Sequence, residues 1–165
     1  MNILEEIAAR KREEVAFLKE EVPAESLELL PHFHRKCLSL KERLQNSATG
    51  IIAEFKHRSP SHPEINLNAD VAVVTAGYET AGASGISVLT DEAFFGGSLD
   101  DLAIARETVK LPLLRKDFMI DEYQLIEAKA MGADVILLIA AMLKPKEVQS
   151  LSKKAKDLGL EVLLE

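Results

Sequence analysis

Cysteine occurs once among the 165 residues, at Cys37, which excludes an internal disulfide and leaves no thiol spacing for a metal. Cys37 therefore reads as a small hydrophobe. No apolar run approaches the ~20 residues that cross a bilayer, and Met1 leads into a charged segment rather than a signal peptide. No membrane contact and a cytoplasmic address are expected. A basic excess is also missing. The formal net charge of -7 argues against a nucleic-acid surface but leaves room for a local cationic pocket holding a small anion. What remains is 47% hydrophobic and 28% charged, the balance of one globular domain with a real core.

A helix is expected over residues 2–20, stopped by Pro23, and a shorter one over 39–45. Neither shows chemistry. His32 and His34 between them lack acidic or thiol partners at metal spacing and read as exposed loop residues. From Gly50 a rhythm sets in. Strands are expected over 50–56, 85–89, 111–115, 134–139 and 160–164, with helices over 68–81, 99–109, 121–131 and 145–158. Short turns such as Ala81-Gly82-Ala83 and Met131-Gly132-Ala133 complete the pattern of parallel βαβ units. Val135-Ile136-Leu137-Leu138-Ile139, apolar on both faces, requires helices over the sheet.

Right-handed crossovers leave an open doubly wound sheet or part of a closed barrel. The loop after the first strand has no glycine, so the dinucleotide fingerprint is missing. A barrel instead places polar residues at the carboxyl ends of several strands, and Glu54, Lys56, Ser59, Thr90, Asp91, Glu92, Lys116, Asp117 and Glu165 stand there. The expected fold is α/β, of the TIM (β/α)8-barrel type, with a helical extension over 1–48 and the first part of a barrel over 49–165. Closure takes eight strands and about 250 residues. With only five, strands one and five keep open edges, where self-association is conceivable. The remaining strands are absent by truncation, lie on a partner, or were never needed because the sheet is open.

Along Ile51-Ile52-Ala53-Glu54-Phe55-Lys56, a period of two puts Glu54 and Lys56 on one face with Ile52. Such charges on an apolar strand form either an internal ion pair or a site finished by the turn Arg58-Ser59-Pro60-Ser61. In Leu113-Leu114-Arg115-Lys116-Asp117-Phe118 the same alternation sends Lys116 and Phe118 inward, with Arg115 and Asp117 toward the helices. The alternative for Lys116 is a surface lysine paired with Asp117. Two lysines (Lys56, Lys116) and two carboxylates (Glu54, Glu165) at strand ends suit proton transfers around one small anionic substrate, because like charges push paired pKa values apart. In Phe94-Phe95-Gly96-Gly97-Ser98, one aromatic ring lies over a flat ligand or both cap the core, and Ser98 is the expected cap of the next helix. His57 and His62 read as solvated loop residues.

Four stretches, in order, carry a resemblance: Ile51 to Ser61, Leu-Thr-Asp-Glu-Ala-Phe-Phe-Gly-Gly-Ser from Leu89, Leu-Leu-Arg-Lys-Asp-Phe from Leu113, and Gly-Ala-Asp-Val-Ile-Leu-Leu-Ile from Gly132. Together they resemble the indole-3-glycerol phosphate synthase family over the whole chain. The resemblance implies a decarboxylating ring closure of 1-(2-carboxyphenylamino)-1-deoxyribulose 5-phosphate, without metal or organic cofactor. It implies Lys116 as the general acid, Glu165 as a partner in dehydration, and Glu54 with Lys56 as the strand-one pair, Lys56 near a substrate anion. Ser59 and Pro60 would line the substrate, with Phe95, Phe118 and Leu137 around the anthranilate ring. The chain departs from the family at His62-Pro63-Glu64, where a basic residue and glycine are usual. The family's phosphate site belongs to strands seven and eight, so little or no activity is expected of these residues alone. Competing expectations are a Schiff-base aldolase using Lys116 and a non-catalytic assembly module.

Overall fold

The computed structural model describes residues 3–165. Three helices come first: α1 Ile3–Glu21, α2 Ala24–Glu28 and α3 Leu40–Gln45, with a 3-10 turn, Pro31–His34, before the last. There follow β1 Ile52–Phe55, α4 Val71–Thr80, β2 Gly85–Leu89, α5 Glu92–Phe95, α6 Leu99–Thr108, β3 Leu113–Lys116, α7 Glu122–Ala130, β4 Val135–Leu138, α8 Pro145–Asp157 and β5 Glu161–Leu164. The strands form one sheet in the order β1-β2-β3-β4-β5, every neighbouring pair parallel. Among the described residues no helix is long and apolar enough to cross a membrane.

Alternation along the strands divides the core. Phe55, Ile86, Val88, Leu113, Ile136 and Leu138 pack outward against Val71, Leu102, Leu125 and Leu151 of the crossover helices. On the other face Ile52, Leu114, Val135 and Leu137 meet Leu40 and Leu44 of α3. A doubly wound sheet has helices on both faces and reverses its strand order at a switch point. Here the order is sequential and the crossover helices share one face. The architecture is that of a TIM-type barrel through its first five strands. Its inner face is plugged by α3, which is pinned by Glu161: that carboxylate accepts from the Leu40 and Lys41 amides at 3.0 and 3.1 Å and from the Ser39 hydroxyl. Exposed Ile51 flanks β1, and exposed Leu163 and Leu164 lie on β5.

Most boundaries shift inward from the sequence pattern. The helix expected from residue 68 starts at Val71, because the Asp70 carboxylate caps the Val73 amide and fixes the first turn there. β3 starts at Leu113, after Pro112, which has no N–H for a ladder. α2, α5 and the 3-10 turn escaped the pattern because one-turn segments carry no period. Residue 2, placed in the first expected helix, lies outside the described residues. α7 is buried from Tyr123 to its end: the sheet covers one side, while Val15, Leu18, Leu27 and Phe33 from the amino-terminal segments cover Tyr123, Ile126 and Ala130 on the other. The Tyr123 hydroxyl donates to the Leu18 and Val22 carbonyls at 3.3 and 2.9 Å, fastening the end of α1 and the residue after it to α7.

At the opposite rim from the candidate site, Asp134 is completely buried. Its oxygens take Arg35 at 2.8 Å, Arg106 at 2.8 Å, and the amides of Leu38 and Leu113 at 2.7 and 2.9 Å. This one carboxylate joins the segment leading to α3, helix α6 and the start of β3. His32, expected to be exposed, is half-buried and reaches Glu107 at 2.7 Å. Asp134→Ala strands the buried Arg106 guanidinium and is expected to cost about 3–5 kcal/mol, measured as a lowered urea midpoint.

Candidate active site

Glu54 is the last-but-one residue of β1, and its inward carboxylate lies between two ammonium groups. Oε1 is 2.9 Å from Lys56 Nζ, and Oε2 is 3.2 Å from Lys116 Nζ at the end of β3. The Ser87 hydroxyl donates to Oε2 at 3.3 Å, while the Glu54 carbonyl accepts from the Tyr78 hydroxyl at 2.9 Å. Partial burial alone would raise the Glu54 pKa. The Lys56 hydrogen bond and the Lys116 charge outweigh that and hold the carboxyl below its usual range. All three side chains keep roughly a third of their surface in water. Two cations share one anion, so this trio carries an excess positive charge in a protein of net charge -7. Lys116 pairs with Glu54 rather than with its neighbour Asp117.

The other candidates fall into groups. Phe95 at the end of α5 and the largely buried Phe118 meet with ring centroids 5.9 Å apart and planes tilted by 40°. Leu137 is buried in the inner apolar layer. Ser59 closes a tight turn with His62, the two exchanging backbone hydrogen bonds at 2.9 and 3.0 Å, and Pro60 sits exposed at its tip. Glu165 follows β5, on the inward parity of Glu161; its side chain is exposed, and among the described residues it forms no ion pair with Lys116. A groove of about 760 Å3 between α1 and the start of α6, lined by Arg10, Phe17, Arg58 and Ser98 among others, does not include Glu54, Lys56 or Lys116.

His57 is not the solvated loop residue expected. Its ring stacks edge-on against Phe55 at 4.9 Å, Nδ1 lies 3.0 Å from the Asn66 carbonyl, and Nε2 lies 3.4 Å from Asp101. Arg58 donates to the Glu92 and Ala93 carbonyls at 3.1 Å each, tying the first loop to α5. Gly97 is required by close packing: a Cβ there would sit 2.1 Å from the Leu89 carbonyl oxygen. Ser98 caps α6 as expected, accepting from the Asp101 amide at 3.0 Å.

Behind the rim, strand-end residues expected from the sequence gather around Lys11, which the sequence pattern did not single out. Lys11 of α1, 1% exposed, is within 3.0 Å of Glu14, 2.9 Å of Asp91 and 3.1 Å of Asp117. Asp117 also takes Arg115 at 3.1 Å and the Thr90 hydroxyl at 2.6 Å, and Arg115 reaches Glu127 at 2.7 Å. Burial would lower the Lys11 pKa, yet Asp117 and Asp91 overcome it and raise it. Burial would raise that of Asp117, but Arg115 and Lys11 outweigh it and push it down. The available signal was spacing: Ile7, Lys11 and Val15 recur every four residues on the buried stripe of α1. No group of three or more His, Cys, Asp or Glu among the described residues is arranged to hold a metal ion.

The family model described as indole-3-glycerol phosphate synthase matches residues 4–165. The chain belongs to the indole-3-glycerol phosphate synthase family. The protein of that name from Bacteroides thetaiotaomicron is 51% identical over 164 residues, 99% of this chain and 63% of its own length. The indole-3-glycerol phosphate synthase of Leptospira interrogans is 42% identical over 163 residues, covering 99% and 61%. A multifunctional tryptophan biosynthesis protein of Schizosaccharomyces pombe is 46% identical over 134 residues, 78% of this chain and 18% of that protein. The chain thus spans less than two thirds of the length of these two curated synthase relatives. The family match takes in the amino-terminal helices as well as the sheet.

The depressed carboxylates set the pH response. A carboxyl whose pKa is lower folded than unfolded stabilises above the ordinary range, about pH 4, and that contribution is lost as pH falls through the folded value. Lys11, raised on folding, stabilises below the ordinary lysine range, about pH 10.4, and ceases to do so as pH rises through its folded value. Asp117→Asn is expected to lower stability at neutral pH and flatten the acid limb, read from urea midpoints between about pH 2 and 7.

Proposed function

We propose that this chain carries the strand-one-to-five share of an indole-3-glycerol phosphate synthase active site. The observation that carries the proposal is the Glu54 carboxylate held between Lys56 and Lys116 across the carboxyl ends of β1 and β3, in a chain of this family. The reaction closes the ring of 1-(2-carboxyphenylamino)-1-deoxyribulose 5-phosphate, releasing carbon dioxide and then water. Lys116 donates a proton to the carbonyl oxygen as the aromatic carbon attacks, so that a hydroxyl rather than an alkoxide forms. Glu54 keeps that ammonium charged and oriented. Lys56 faces the substrate carboxylate until decarboxylation restores the aromatic ring. Loss of the new hydroxyl as water needs a further acid/base pair, for which Glu165 is the candidate on the inward face of β5. Phe95, Phe118 and Leu137 offer an apolar wall for the anthranilate ring, and Ser59 with Pro60 edges the entrance. The excess positive charge of the Glu54–Lys56–Lys116 trio favours an anionic substrate.

A chimera joining this chain to the carboxyl-terminal remainder of the Bacteroides relative tests the reading. Turnover, followed by the fluorescence of the indole product, is expected from the chimera and little or none from the 165 residues alone. Lys116→Met in the chimera is expected to lower kcat by about 10²–10⁴-fold. A folded chimera without turnover, or one indifferent to Lys116→Met, overturns the assignment. Exposed Ile51, Leu163 and Leu164 at the sheet edges support a second property, self-association, expected as a concentration-dependent mass in sedimentation.

A further inference from the structure

The Lys11 ammonium touches three carboxylates, and two of them, Asp91 and Asp117, each hold a segment of the candidate site. Asp91 accepts from the Phe94 amide at 2.8 Å and so starts α5, the turn of helix that ends in Phe95. Asp117 accepts from the Phe118 amide at 2.8 Å and stands in the chain between Lys116 and Phe118. One side chain from α1 therefore ties the segment after β2, which carries Phe95, to the segment after β3, which follows Lys116 and carries Phe118.

Docking of α1 does not by itself require this. Val15 and Leu18 already bury apolar surface against α7, the Tyr123 hydroxyl holds the Leu18 and Val22 carbonyls, and Lys19 pairs with Asp121 at 2.7 Å on the surface. A buried ammonium is a costly anchor where an apolar residue would pack as well. Its charge has a use if the carboxylates it pairs with must be held in place. Both are, Asp91 accepting the Phe94 amide next to Phe95 and Asp117 accepting the amide of Phe118 itself.

We propose that Lys11 is a positioning residue: through Asp91 and Asp117 it sets how Lys116 and the Phe95–Phe118 pair are presented to a substrate. The proposal rests on the synthase reading for its catalytic consequence but not for its structural one. Its test has two arms. In the 165-residue chain, NMR resonances of the Lys116 side chain and contacts between the Phe95 and Phe118 rings are compared in Lys11→Met, Lys11→Arg and Lys19→Met. Lys11→Met is expected to shift the Lys116 signals and weaken the ring contact, Lys11→Arg to restore both in large part, and Lys19→Met, which removes only the surface anchor of α1, to leave both as they are. Asp91→Asn is the second variant, keeping the Phe94 cap while removing one charge; it is expected to displace Phe95 against Phe118. In the chimeric barrel, Lys11→Met is expected to lower kcat by up to about 10²-fold with KM little changed, the effect of a reacting group misplaced by about 1 Å. Folded Lys11→Met with unaltered Lys116 and phenylalanine signals overturns the proposal, as does an unaltered pair in Asp91→Asn. A wild-type chimera without turnover sinks the synthase reading alone, because the NMR arm does not depend on it.

Discussion

A positive charge shut away from water governs how this chain is put together. Taking an ammonium out of water costs several kcal/mol even after relaxation, and only close, ionised partners offset it. Lys11 finds them in Glu14, Asp91 and Asp117, which come from its own helix and from two strand ends far along the chain. The pairing has a direction. Once the carboxylates are fixed by backbone amides, α1 can seat in only one register, and the strand-end segments can take only one height relative to it. The amino-terminal helix is thereby part of the rim, not an appendage to it.

The second constraint is the two-residue period of a strand. Along β3 it sorts four consecutive residues into different environments. Leu114 and Lys116 face the barrel interior, one in the apolar layer and the other beside Glu54. Arg115 and Asp117 face the helices, both buried and tied to Lys11, Thr90 and Glu127. Adjacent charges therefore do unlike work. The inward ones keep contact with water and a net cationic character suited to an incoming anion; the outward ones neutralise each other in the dry layer and give the inward ones a rigid backing.

What the sequence discloses follows from how local each signal is. Apolar runs such as Val135 to Leu138 and the regular return of helices are short-range, so the parallel units and their order could be read without coordinates. Parity along β1 and β3 was enough to bring Glu54, Lys56 and Lys116 to one face, and the structure joins all three. Lys11 was missed because its partners are set by tertiary packing, and a lysine among charged neighbours in α1 resembles any solvated one. His57 looked like a loop residue because nothing nearby in sequence announces Phe55, Asn66 and Asp101 as its surroundings. Glu165 illustrates the opposite limit: its parity is legible, yet it stands exposed beyond an edge strand and two strands away from Lys116.

The burial of α7 on every side has a bearing on how the polypeptide acquires its shape. Val15, Leu18 and Leu27 emerge from the ribosome long before Tyr123 and Ile126, and the Lys19–Asp121 pair alone spans 102 positions. Until that much chain has been made, the leading helices have no seat and their apolar stripe stays uncovered. Closing so long a loop carries a large entropic cost that only the finished βα units repay. The helices ahead of the sheet are thus among the last elements to settle, and a nascent chain halted before α7 would present a sticky, unsatisfied helix to chaperones and proteases.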